Sequence, residues 1–284
     1  MAIRRPAVAG AFYAGSKGAL RRQIEWCFNH ELGPGEVPEP SEGPLKSLLA
    51  LVCPHAGYMY SGPVAAHSYA RLAEEGRPDV AIILGPNHTG FGSAVAISVG
   101  GVWRTPLGDV EIDTAVAEAI MDRADVISAD DEAHFYEHSI EVQLPFLQFL
   151  YGSGFKLVPI CMMLQGIRTS SEVGSAIAGA VRDLSLNAII IASTDLTHYE
   201  PQSAAERKDR AVIEAIERLD APGLYRAVEE LPVTMCGFGP TAAAMVAAKE
   251  LGAKKGELLK YATSGDITGD KSSVVGYASI ALVR

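Results

Sequence analysis

Three of the seven histidines follow directly on short apolar runs: His55 after LLALVCP, His88 after VAIILGPN and His198 after AIIIASTDLT. Neutral imidazole is the commonest metal ligand, and its ordinary pKa also suits it to move protons near pH 7. A lone histidine after a strand is ordinarily a surface or capping residue. Three of them after three such runs point to one shared site, because open α/β sheets bind ligands beyond the carboxyl ends of their strands. Asp195, three residues before His198 in STDLTHY, has two readings. It can fix the tautomer of that imidazole, or it can cap a following helix. Cys236 in VTMCGFGPTAAA precedes a sharp Gly-Phe-Gly-Pro turn, with Pro240 suited to a first helical turn. It is either a thiol made acidic by a helix N-terminus or a small buried residue.

His138, in EHSIEVQLPFL, stands with Glu137 and Glu141 in a polar cluster at the start of a helical pattern. It reads either as a support or substrate contact or as a helix-start residue bonding to backbone. HSIE is not HEXXH, so a zinc-protease helix is excluded. His134 is a weaker candidate, and His30 and His67 fall in helical patterns as structural residues. Cys27, Cys53 and Cys161 lie among apolar residues and read as core. The sequence carries no Walker A loop, no GxGxxG after the first strand and no GxSxG elbow. A nucleotide cofactor and α/β-hydrolase chemistry are therefore not expected.

The elements that must position these residues are legible as an alternation. Apolar runs at Leu48–Cys53, Val80–Leu84, Ala94–Val99, Lys156–Cys161, Ala188–Ala192 and Val274–Val283 read as strands buried on both faces. Pro159 marks Lys156–Cys161 as an edge strand or a strand end. Helical patterns fall at Pro63–Glu75, Asp113–Ala124, Glu137–Leu150, Ser170–Leu184, Ala204–Leu219, Pro222–Glu230 and Pro240–Leu251. The expected fold is α/β, a mostly parallel or mixed sheet flanked by helices on both faces, with residues 1–284 as one domain. The Pro- and Glu-rich stretch Glu31–Pro44 reads as a surface loop.

Composition bounds the function classes. The 284 residues include 24 Lys and Arg against 34 Asp and Glu, a formal net charge of −10. That balance argues against a nucleic-acid partner, which needs a basic face. No apolar stretch approaches the roughly 18 residues of a membrane span, and Pro6, Gly10 and Gly15 break up any signal-peptide pattern. Four cysteines without a CxxC pair suggest reduced thiols and a cytoplasmic location.

PAVAGAFY, PHAGYMYSG, GPNHTG, EHSIEVQLPFL, STDLTHY and MCGFGP, in that order along nearly the whole chain, resemble the MEMO family. Its archaeal and bacterial members are often called AmmeMemoRadiSam system protein B. The family is similar in fold to class III (LigB-like) extradiol dioxygenases, which hold Fe(II) with two His and one Glu. The resemblance implies that His55 and His88 are metal ligands and that His198 is the acid/base, with Asp195 beside it. It also implies that Cys236 stands where the dioxygenases place Glu. Within the same motifs His138, Glu141, Asn87 and Tyr58 are the expected substrate-pocket or supporting residues. A thiolate beside two imidazoles suits Fe(II) or Cu, with Zn also possible. The implied function is a metal-dependent redox or dioxygenase-like protein. The alternative is an inactive binding protein whose pocket takes a small molecule, a peptide or a metal. Gene association suggests AMMECR-like and radical-SAM proteins as partners.

Overall fold

The computed structural model describes residues 2–284. Among these residues, nine strands form one mixed sheet. The strand pairs, in order across the sheet, run His198–Glu200, Val274–Val283, Leu48–Cys53, Ala188–Ser193, Val80–Pro86, Lys156–Met162, Val95–Ile97 and Ser128–Ala129; Lys255–Thr263 pairs with Val274–Val283 from the side. Its centre is parallel: Leu48–Cys53 pairs with Ala188–Ser193, which pairs with Val80–Pro86, which pairs with Lys156–Met162. All residues of Leu48–Cys53 and Val80–Pro86 are buried, as expected for strands covered on both faces.

Side chains alternate across the sheet and sort into two cores. Ala50, Val52, Ile82, Leu84, Val158, Ile160 and Ile190 face a layer that includes Ile167–Asp183 and Phe238–Glu250. Leu51, Cys53, Ala81, Ile83, Leu157, Cys161 and Ile191 face the helices Lys17–Asn29, Tyr58–Glu75 and Leu144–Tyr151. The expected α/β architecture with helices on both faces is the observed one. Cys27, Cys53 and Cys161 are buried, as expected. Among the described residues, no helix is long and apolar enough to cross a membrane.

Several local expectations are corrected. Lys156–Met162 is not an edge strand, because it pairs with Val80–Pro86 on one side and antiparallel with Val95–Ile97 on the other. Pro159 is tolerated because that second ladder ends at the Ile97–Ile160 pair, one residue away. The helix expected over Glu137–Leu150 is absent in its first half. A short 3-10 turn covers Glu141–Gln143 and the α-helix starts only at Leu144. The Glu137 carboxylate takes the backbone N–H groups of His138 and Ser139 and holds that stretch as a loop. Pro63 does not begin its helix, which starts at Tyr58. The elements not expected include the helix Lys17–Asn29, the strand Lys255–Thr263 and a small separate sheet of Ile3–Arg4, Val102–Thr105 and Gly108–Glu111.

Candidate metal centre

The parallel strands deliver their loops to one rim. His55 follows the end of Leu48–Cys53, and His88 follows the end of Val80–Pro86. Thr194 and Asp195 follow the end of Ala188–Ser193. Val274–Val283 runs antiparallel to Leu48–Cys53, so its first residues rise beyond that same rim. His198 pairs with Val275 there. Cys236 is carried in by the turn before the Phe238–Glu250 helix. This turn is fastened by Cys236 N–H to the Asp195 carbonyl (3.3 Å) and Gly237 N–H to Thr194 Oγ1 (2.9 Å). One donor atom each from His55, His88 and Cys236 lie within 4.8 Å of one another.

The hydrogen bonds decide which ring nitrogen faces inward. Ser193 has one hydroxyl proton, and it goes to the Ser139 carbonyl (2.6 Å), while Gln143 Nε2 donates into the same oxygen (2.7 Å). Ser193 Oγ can therefore only accept from His55 Nδ1, 3.0 Å away. That leaves a lone pair on His55 Nε2, which lies 3.1 Å from Cys236 Sγ. His88 Nδ1 sits 2.9 Å from the Glu137 carboxylate, so its Nε2 is likewise the free donor. Gln143 is itself fixed by the Tyr69 hydroxyl (2.6 Å) and the Pro54 carbonyl (3.0 Å).

Burial favours the neutral ring at His55 and at His138. Burial, then the neighbouring His138 and His88, holds His55 well below its ordinary pKa. Burial also lowers His138, to about 4. Burial alone would raise Glu137, but the His88 hydrogen bond, the attraction of the His88 and His138 rings in their protonated forms and the Ser139 N–H outweigh it and hold the carboxyl at about 2. Burial, with the Asp195 charge adding to it, pushes the Cys236 thiol up to about 12. A thiol so placed stays protonated unless a cation meets its sulfur, and a metal held there would take the place of its proton.

These donors fit a metal ion. Metal bonds of about 2.0–2.3 Å let one ion span donors up to roughly 4.3 Å apart, close to the spread seen here. Two neutral imidazoles and a thiolate suit copper, zinc or iron. A second grouping of His88, Glu137 and His138 is as compact. Its carboxylate, however, already takes the His88 N–H (2.5 Å), the His88 ring, and the N–H groups of His138 and Ser139 (2.8 Å each).

The other expected site residues are distributed unevenly. His138 belongs to the cluster: its ring stacks on His88 at 4.6 Å and stands edge-on to His55 at 5.4 Å. His198 is on the same rim, with its Nδ1 against the Thr234 carbonyl at 2.9 Å. Asp195 neither hydrogen-bonds that imidazole nor caps a helix. Its carboxylate accepts the His55 backbone N–H (2.8 Å) and so holds the loop that presents His55. Asn87 shapes the His88 loop, accepting from the N–H groups of Thr89 (3.0 Å) and Gly90 (2.9 Å). Tyr58 is not a pocket residue, since it is buried and donates its hydroxyl to the Val142 carbonyl at 2.6 Å. Glu141 is likewise buried and fully engaged elsewhere, with Arg4, the N–H groups of Ala7 (2.7 Å) and Val8 (3.1 Å), and the Tyr13 hydroxyl. Ser193 and Gln143 are supporting residues that sequence reasoning missed, and the supporting role of Glu137 was not assigned although it stood in the polar cluster with His138. Only Glu137 carried a signal, as the carboxylate next to His138.

The architecture and cluster define an α/β protein with a His-His-Cys donor set at the carboxyl rim of its sheet. The chain belongs to the Memo-like protein family, whose model matches residues 4–281. It is 57% identical over 281 residues to a MEMO1 family protein of Methanopyrus kandleri, covering 99% of both chains. It is 52% identical over 279 residues to another from Methanothermobacter thermautotrophicus, covering 98% of this chain and 100% of that one. Among solved structures it resembles an uncharacterized protein from Escherichia coli K12. That match has a TM-score of 0.58 and 16% identity, covering 83% of this chain and 99% of that one, and it speaks to the fold alone.

Proposed function

We propose that His55, His88 and Cys236 hold a transition metal, iron or copper with zinc also accommodated, and that the protein is a metal-dependent redox protein related to the extradiol dioxygenases. The observation that carries this reading is the convergence of two Nε2 lone pairs and one thiol sulfur, each Nδ1 being tied off behind its ring by Ser193 or Glu137. A metal held there would supply Lewis acidity or electron transfer. Ser193 and Glu137 orient the two ligand rings, and Asp195 secures the loop carrying the first of them. His198, with Nδ1 tied to Thr234, offers Nε2 for holding or moving a proton beside the metal.

A second reading, a binding protein without turnover, rests on the exposed apolar side chains next to the site residues in the chain. Tyr136 is 71% and Tyr199 79% exposed, beside Glu137 and His198, and Met59, Phe91 and Phe135 are exposed as well. Such a surface suits a peptide or a protein partner. Gene-associated AMMECR-like and radical-SAM proteins are the candidates.

The test begins with metal analysis of protein purified without chelator or affinity tag. It continues with calorimetric Co(II) and anaerobic Fe(II) titrations of wild type, His55→Ala and His88→Ala. One metal per chain, lost in both variants, is the expected result. Equal stoichiometry and affinity in all three proteins would remove the assignment.

A further inference from the structure

The loop that carries Glu137 has little regular structure of its own, yet it sets the orientation of His88. What fastens it lies far away in the chain. Arg4 stands in the two-residue strand Ile3–Arg4, paired with Val102–Trp103. Its guanidinium is buried and lies 4.4 Å from the centre of the Trp103 ring. Its Nε donates to the His134 carbonyl (3.0 Å), its Nη2 to the Glu137 carbonyl (2.6 Å), and its Nη1 pairs with the Glu141 carboxylate. Among the described residues, no other hydrogen-bond donor reaches the Glu137 carbonyl.

One planar group thus pins residues 134, 137 and 141 at once. The side chain of the middle residue then takes the backbone N–H and the ring of His88. The same ion pair also anchors the N-terminal segment. Glu141 takes the N–H groups of Ala7 and Val8 and the Tyr13 hydroxyl, and Phe12 of this segment lies 4.7 Å from the His138 ring. A guanidinium is suited to this because it presents several donors in a rigid fork, which an ammonium cannot imitate.

We propose that Arg4 is a positioning residue for the metal centre: it holds the 134–141 loop so that Glu137 keeps the His88 imidazole aimed at the metal, coupling the N-terminal segment to metal affinity. This rests on the metal-site reading above, and the experiment separates the two. The full chain is titrated with Co(II) as wild type, Arg4→Gln, Arg4→Lys, Glu137→Gln and the Arg4→Gln/Glu137→Gln double variant. Affinity and the thiolate-to-Co(II) absorption band are both followed.

Arg4→Gln is expected to weaken Co(II) by about 10–100-fold, as loss of a ligand's supporting contacts does. The stoichiometry stays at one, and the thiolate band persists because Cys236 comes from another loop. Arg4→Lys is expected to fall in between, since an ammonium can meet Glu141 but cannot also span both carbonyls. The double variant should bind like Glu137→Gln alone, because Arg4 acts through that residue. Wild-type affinity in Arg4→Gln, or losses that multiply in the double variant, would overturn the role given to Arg4. Should Arg4→Gln fail to fold, Arg4→Lys decides by the same measure, and wild-type affinity in it is the overturning result. A wild type that binds no Co(II) overturns the metal-site reading itself, and the Arg4 role with it.

Discussion

Replacing Gly237 with Ala tests how closely the Cys236 turn must approach the sheet. The backbone at Gly237 has φ −112° and ψ 40°, outside the left-handed region, so conformation does not demand glycine. Space does. A Cβ at this position would stand 2.6 Å from the Ser193 carbonyl oxygen and 2.7 Å from Thr194 Cβ. Ordinary carbon–oxygen approach is about 3.3 Å, so the turn or the strand end must yield by roughly 0.7 Å. The strand end is held by its pairing with Leu48–Cys53 and by Thr194 N–H on the Cys53 carbonyl (2.8 Å). The turn is therefore what moves, and Cys236 is the adjacent residue. Metal–ligand distances tolerate only about 0.2 Å, so the sulfur leaves bonding range in its present pose. The expected outcome is a destabilisation of about 1–3 kcal/mol, typical of overpacking. It comes with a Co(II) complex whose thiolate band is weakened toward that of Cys236→Ala. A metal-free check is the alkylation rate of Cys236, the one cysteine that is not fully buried. That rate should change in Gly237→Ala while Cys27, Cys53 and Cys161 stay protected. A variant with wild-type band intensity, Co(II) affinity and alkylation rate would refute the reasoning.

Two further outcomes follow from other parts of the molecule. Burial would raise the pKa of Glu75, but the N–H groups of Ser47 and Leu48, the Ser47 hydroxyl and Arg71 outweigh it and lower it from 4.5 to about 2. A carboxyl depressed on folding stabilises the protein above its unfolded pKa, and that contribution disappears as pH falls from about 4.5 toward 2. Glu75→Gln should lose up to about 3 kcal/mol at pH 7 by urea denaturation, with little difference from wild type near pH 2; equal stability at pH 7 would remove this account. At the rim, His198→Ala should keep one Co(II) per chain and lower any oxygen uptake of the Fe(II)-loaded protein by roughly 10²–10⁴-fold, the usual worth of a general acid or base. Release of the metal instead would make His198 a ligand and withdraw that role from Cys236.

What the sequence by itself determined was the alternation of buried strands with helices and the placement of histidines just after strands. Both are local properties. Continuous runs such as LLALVC and VAIIL bury on two faces wherever they sit, and in a parallel sheet residues after such runs must arrive at one rim. The motifs carrying the family resemblance are contiguous, so they too are legible before folding. The partners of the key groups were decided only by tertiary structure, because they are set by packing between distant segments. Asp195 is three residues from His198 in the chain, yet its carboxylate goes to His55, 140 positions away, since the parallel pairing sets Cys53 opposite Ser193. Glu141, expected as a pocket or supporting residue from the motif it shares with His138, is consumed by Arg4 and the N-terminal segment. Ser193 and Gln143 carry no chemical signature in sequence. They matter because the hydroxyl of one, fixed by the amide of the other, dictates which nitrogen of His55 faces the sulfur. The lost first half of the 137–150 helix has the same origin. Helical periodicity was present, but a carboxylate held by the His88 loop claimed the backbone N–H groups, and that competition exists only once the two loops meet.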